Sequence, residues 1–99
     1  MTKLDRKMYR YAFSYALTRH NSAMADCVEA FKDVISEFET WEIDQMINDA
    51  KAHWRAVEEL NRDSLNRALE SINLAEQKAF VDMCLEELHK RAVGGKNND

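Results

Sequence analysis

Apolar side chains recur along most of the chain at steps of three and four, the period that lines up one face of an α-helix. Leu4, Met8, Tyr11, Ala12 and Tyr15 form a first stripe, widened by Tyr9, Phe13, Ala16 and Leu17, and predict a helix from about Leu4 to Arg19. So broad a stripe implies burial on more than one side, which would place this helix centrally. Met24, Val28, Phe31, Ile35 and Phe38 make a second seam, with Cys27, Ala30 and Val34 beside it. Asp26, Glu29, Lys32, Asp33 and Glu37 occupy the opposite, solvated face. Ile43, Ile47, Ala50, Trp54 and Val57 carry a third helix from Thr40 to about Leu60, flanked by Trp41 and Met46. Leu74, Val81, Cys84, Leu85 and Leu88, with Phe80 nearby, point to a last helix ending near Val93. Between these two, Leu65, Ala68, Leu69 and Ile72 form a short amphipathic segment that either extends the third helix or stands alone.

The breaks between the seams are built without turn residues of the usual kind. Proline is absent and the two glycines are Gly94 and Gly95, so helices joined by short Asn, Ser, Asp and Thr connections are expected. Ser22 or Asn21 is placed to cap the second helix. Residues 36–40 form a break in which Thr40 caps the third helix, and Glu42 and Asp44 then sit in a first turn that favours negative charge. Residues 61–64 are a second break. Ser71-Ile72-Asn73 offers a turn, and Asn73 with Glu76 resembles a capping box. Lys90 and Arg91 lie in the last turn, and Gly94 is a natural stop. The fold class read from this pattern is all-α: a compact bundle of four helices, or five if residues 63–72 separate. Residues 1–93 form its single domain and 94–99 a flexible tail. The expected core comprises Met8, Tyr15, Val28, Phe31, Ile35, Ile47, Trp54, Val81, Leu85 and Leu88.

Composition agrees with one globular domain: 99 residues, 45% hydrophobic and 32% charged. No run of about 18 apolar residues exists to span a membrane. No apolar stretch follows the basic first residues, which predicts no secretory leader and a cytoplasmic protein. Cys27 and Cys84 then read as small buried hydrophobes, with a disulfide between them as the alternative. The net charge of −4 is uneven. Residues 1–20 hold five basic side chains against one acidic, whereas residues 21–60 hold three against ten. Such asymmetry suits either complementary pairing inside the fold or across a dimer, or two surfaces of opposite sign.

Candidate chemistry is sparse. There is no glycine-rich phosphate loop, nucleophile elbow or paired-histidine zinc motif, and the chain is read as a non-enzyme without a cofactor. His20, Cys27, His53, Cys84 and His89 could in principle ligate a metal, but their spacings match no usual site, so none is expected. The basic first helix offers Arg6, Lys7 and Arg10 beside Tyr9, a set able to contact phosphate and stack on bases. The alternative is that these cations pair with the acids of residues 26–44. Glu37, Glu39, Glu42 and Asp44 cluster around the second break with Trp41 among them, an aromatic anchor in an acidic setting suited to a basic protein partner. Trp41 reads equally as a lid that closes the core.

Residues 10–19, Arg-Tyr-Ala-Phe-Ser-Tyr-Ala-Leu-Thr-Arg, resemble a segment of small helical proteins of tailed bacteriophages. In these proteins Arg-Tyr-Ala leads a helix and Ala-Leu-x-Arg lies close by. Met46-Ile47-Asn48-Asp49-Ala50, followed by Trp54, is similar to their later Ile-x-x-Asp-Ile-x-x-Ala helix, in different spacing, and the match covers residues 9–57. The resemblance implies a phage-encoded protein acting in a bacterial cytoplasm by binding a host protein, in the manner of inhibitors of CRISPR–Cas and other nucleic-acid-binding defence complexes. The competing reading is a nucleic-acid-associated accessory protein using Arg6, Lys7 and Arg10. A homodimer is also expected, because one small bundle does not readily cover a first helix that is apolar around much of its circumference.

Overall fold

A computed structural model describes residues 1–18, 23–60 and 64–94, with side chains at 1–18, 23–56 and 74–94. Four helices follow one another: α1 (Lys3–Leu17), α2 (Ala23–Lys32), α3 (Thr40–Leu60) and α4 (Ser64–Val93). A 3-10 turn, Ile35–Glu37, joins α2 to α3. Among the described residues there is no strand, and the fold is an all-α bundle of four helices. Each helix packs mainly on two others: α1 on α2 and α3, and α4 on α2 and α3. α1 and α4 therefore lie across a diagonal, bridged where Phe13 stacks on Phe80 at 4.3 Å between ring centroids.

The core centres on an aromatic cluster drawn from α1, α2, the α2–α3 connection and α4. Phe31 of α2 meets Phe80 edge to face at 4.8 Å and Tyr9 of α1 at 5.2 Å, and it stacks on Phe38 of the α2–α3 connection. Such contacts add to the burial of large apolar areas. Met24, Cys27, Ile35, Ile43, Met46, Ile47, Ala50, Val81 and Cys84 fill the space around the rings. Cys27 and Cys84 are free thiols, so the alternative bridge does not form.

Several expectations are corrected. α1 is not central, and its inward face is Phe13, Ala16 and Leu17, with Tyr9 packed against them. Leu4, Met8, Tyr11 and Tyr15 are exposed by 66%, 64%, 75% and 55%. The helix has two apolar faces on opposite sides, and the one carrying Tyr9 and Phe13 turns inward because Tyr9 meets Phe31 edge to face and Phe13 stacks on Phe80. Of the expected core, Phe31, Ile35, Ile47 and Val81 are buried, and Val28, Trp54 and Leu88 are partly so. Met8, Tyr15 and Leu85 lie outside.

α2 stops at Lys32 rather than running to residue 36, and the 3-10 turn then carries Ile35 and Phe38 inward. The turn expected at residues 71–73 is absent, since α4 is helical throughout its 30 residues. Without glycine or proline there, nothing breaks the backbone. The segment 64–72 thus belongs to the last helix. The proposed cap at residues 21–22, most of the break at 61–64 and most of the tail lie outside the described residues.

Candidate functional site

The start of α3 shows how the charged residues are disposed. Glu42, in the first turn, reaches back so that its Oε1 accepts the backbone N–H of Glu39 at 2.8 Å. This is half of a capping box, with Glu39 as the cap position in place of Thr40. The geometry turns the Glu42 carboxylate inward against α1, leaving it 1% exposed. Burial of a carboxylate is costly unless it is paired. Arg6 supplies Nε at 2.9 Å and Arg10 supplies Nη2 at 3.4 Å. These cations stand one helical turn apart, so both reach the same acid.

The pairing continues outward. Arg6 Nη2 lies 3.5 Å from Glu39 Oε2, and the N-terminal ammonium of Met1 lies 2.6 Å from Glu37. The Arg10 guanidinium sits 5.1 Å from the centroid of the Trp41 ring, a cation–π contact. Trp41 Nε1 donates to Glu39 Oε1 at 3.2 Å. Of the two candidate sets read from the sequence, Glu37, Glu39, Trp41 and Glu42 on one side and Arg6 and Arg10 on the other are therefore one assembly with the N-terminus, whereas these contacts do not include Asp44 or Lys7.

Its members divide by accessibility. Glu42 is buried and unavailable to a partner, which corrects its assignment to a binding surface. Trp41 is 55% exposed and is an outward residue, not a lid. Glu37, Glu39 and Asp44 are exposed beside it, and Lys7 is exposed on α1. Arg6 and Arg10 are committed to Glu42. A shallow groove of about 190 Å³ runs between α1 and α3, lined by Lys7, Arg10, Tyr11, Ser14, Gln45, Met46 and Asp49. That volume is below the roughly 300–1,000 Å³ of small-molecule sites.

Thr40 is used for a different purpose than capping. Its Oγ1 accepts from Arg91 Nη1 at 3.0 Å. Arg91 also donates to Glu87 at 2.9 Å and to the backbone carbonyls of Phe38 at 2.7 Å and Ser36 at 3.2 Å. One guanidinium at the end of α4 thus ties Ser36, Phe38 and Thr40 together just ahead of Trp41. No sequence signal marks this role, because its partners lie more than 50 residues away.

Among the described residues no group of three His, Cys, Asp or Glu side chains is placed to hold a metal ion. No described helix is long and apolar enough to cross a membrane. Burial raises the Cys27 thiol above its ordinary range, with the Asp26 charge adding to the effect, and pushes Cys84 up to about 12. Both thiols are held in the protonated, unreactive form. Comparison of the chain with protein-family models, curated proteins and solved structures finds no match.

Proposed function

We propose that this chain is a non-catalytic protein-binding module that acts by stoichiometric contact, with Trp41 as its anchor. The observation that carries the reading is a half-exposed indole held in place from two sides, by Arg10 beneath its ring and by Glu39 at its Nε1. An exposed tryptophan fixed before binding loses little freedom on contact, which is what a hot-spot residue requires. Glu39 accepts from the indole, and Glu37 and Asp44 are exposed within four residues of it in the chain, so the fitting partner has an apolar pocket with a basic rim. The similarity of residues 10–19 to small phage proteins directs the proposal to a bacterial host protein. A nucleic-acid-binding defence complex, whose nucleic-acid surface is basic, is the partner class of that chemistry, and the chain would be its inhibitor in the bacterial cytoplasm. The nucleic-acid reading of α1 is less well supported, since Arg6 and Arg10 are occupied by Glu42.

The test is a pull-down from nuclease-treated bacterial lysate with the parent chain and with Trp41→Ala, followed by titration of the recovered partner. The parent should retain a stoichiometric protein, and the variant should bind it about 30-fold or more weakly, the loss expected of a hot-spot aromatic. Equal retention by both chains, or recovery of nucleic acid alone without nuclease, would overturn the proposal.

A further inference from the structure

The outer face of α1 is exposed and has the spacing of a helix-pairing seam. Leu4, Met8, Tyr11 and Tyr15 follow one another at steps of four, three and four, the alternation of a two-helix interface. They lie opposite the face that packs into the bundle through Phe13 and Leu17. With side chains of about 150–250 Å² each and the exposures given above, the four present roughly 500 Å² of contiguous, mostly apolar surface. This is at the upper end of the largest patch on a typical monomer. It also supplies most of the roughly 800 Å² per partner of a standard interface.

We infer that this seam docks against the same seam of a second copy of the chain, antiparallel, about a two-fold axis. The spacing is its own mirror: turning the seam end for end sets Leu4 against Tyr15 and Met8 against Tyr11. Every layer then joins an aliphatic or thioether side chain to an aromatic one, a favoured pairing. A parallel arrangement would instead stack like on like. The flanks raise no barrier. Asp5 falls beside Ala12 of the second copy and Lys7 beside Ser14, so no like charges meet. The first helices also run with opposed dipoles. The flanking side chains make up the remaining area, and the interface is isologous, as most two-fold dimers are. Trp41 stays outside the seam, so self-docking is independent of the proposed partner site.

The experiment is sedimentation of the full chain from 1 µM to 1 mM, with three variants: Met8→Glu, Tyr11→Lys and Trp41→Ala. The parent and Trp41→Ala should pass from the 11.6 kDa chain mass to twice that mass as concentration rises. Met8→Glu and Tyr11→Lys should each stay at the single mass, with unchanged helical circular dichroism. An equimolar mixture of these two should recover the doubled mass, because the antiparallel layer sets position 8 against position 11 and pairs the new opposite charges. A parent chain at single mass throughout overturns the inference and leaves the seam to a different protein. Doubling that persists in both charged variants places the interface elsewhere. A mixture that stays monomeric refutes the antiparallel register.

Discussion

Replacing Glu42 with alanine tests the central electrostatic feature of the bundle. In the folded chain this carboxylate is 1% exposed, accepts from Arg6 Nε and the Glu39 N–H, and lies 3.4 Å from Arg10 Nη2. Removing one member of a buried ion pair costs about 3–5 kcal/mol, chiefly because the remaining charge is left without a partner. Here the arginine side chains keep 14% and 22% exposure, and Arg6 retains Glu39 and the carbonyl of Met1. Partial rehydration lowers the expected loss to about 2–4 kcal/mol, including the forfeited cap at Glu39. A chain of this size has about 5–15 kcal/mol of stability in all. Urea unfolding followed by circular dichroism should therefore show a midpoint far below the parent's, at similar slope. Glu39→Ala is the control, since its carboxylate is 59% exposed and its contact with Arg6 is 3.5 Å. That pair should contribute less than about 1 kcal/mol. Equal and small effects from both substitutions would show that Glu42 faces solvent.

Two further predictions concern α4. Arg91→Lys should destabilise by about 1–2 kcal/mol in the same assay, because an ammonium cannot span Glu87, Thr40 and the carbonyls of Ser36 and Phe38 together. A lysine variant matching the parent would show that the clamp contributes nothing. The Cys84 thiol, raised by burial from 9.0 to about 12, keeps its proton in the folded state longer than in the unfolded one. Its contribution is full below pH 9 and is lost as pH rises toward 12, by at most about 1.4 kcal/mol per pH unit. The stability difference between the parent and Cys84→Ala should thus narrow between pH 8.5 and 11, and a flat difference would refute the burial of this thiol.

Helix number and the seams of α2 and α3 were legible because each has one apolar face, and a one-faced helix has only one way to bury it. α1 was not, because Leu4-Met8-Tyr11-Tyr15 and Tyr9-Phe13-Leu17 are both regular. Periodicity cannot choose between two good faces. The choice is made by long-range partners: Phe80 for Phe13, Phe31 for Tyr9 and Glu42 for the two arginines that share the inner side. One local clue was available. Thr2-x-x-Asp5 is a capping-box signature, and both of its hydrogen bonds form, which draws the Asp5 carboxyl below its ordinary range. The acidic cluster was likewise visible, yet the inward turn of Glu42 depends on its bond back to the Glu39 amide, a matter of position within the first turn and not of charge density. The continuity of α4 through residues 71–73 follows from the lack of a breaker, which polar composition alone obscured.

Arg10 joins the buried ion pair to the proposed anchor. Its guanidinium pairs with buried Glu42 and also lies over the half-exposed ring of Trp41. The ion pair that settles α3 against α1 therefore also sets the orientation of the proposed anchor. An Arg10 substitution would lower stability and loosen Trp41 together, so its effect on binding would not locate the contact surface. Trp41→Ala removes a half-exposed indole and leaves the Glu42 ion pairs in place, so it reports chiefly on binding. Glu42 substitutions act first on the fold and reach Trp41 through Arg10 and through Glu39, whose amide Glu42 holds and whose carboxylate accepts from the indole. The ordering is a consequence of geometry: a buried acid fixes a cation, the cation fixes an aromatic ring, and the ring presents itself outward among carboxylates. The support of the proposed anchor thus lies in the bundle, while the carboxylates of Glu37, Glu39 and Asp44 are exposed and outside the buried pair of Glu42 with Arg6 and Arg10.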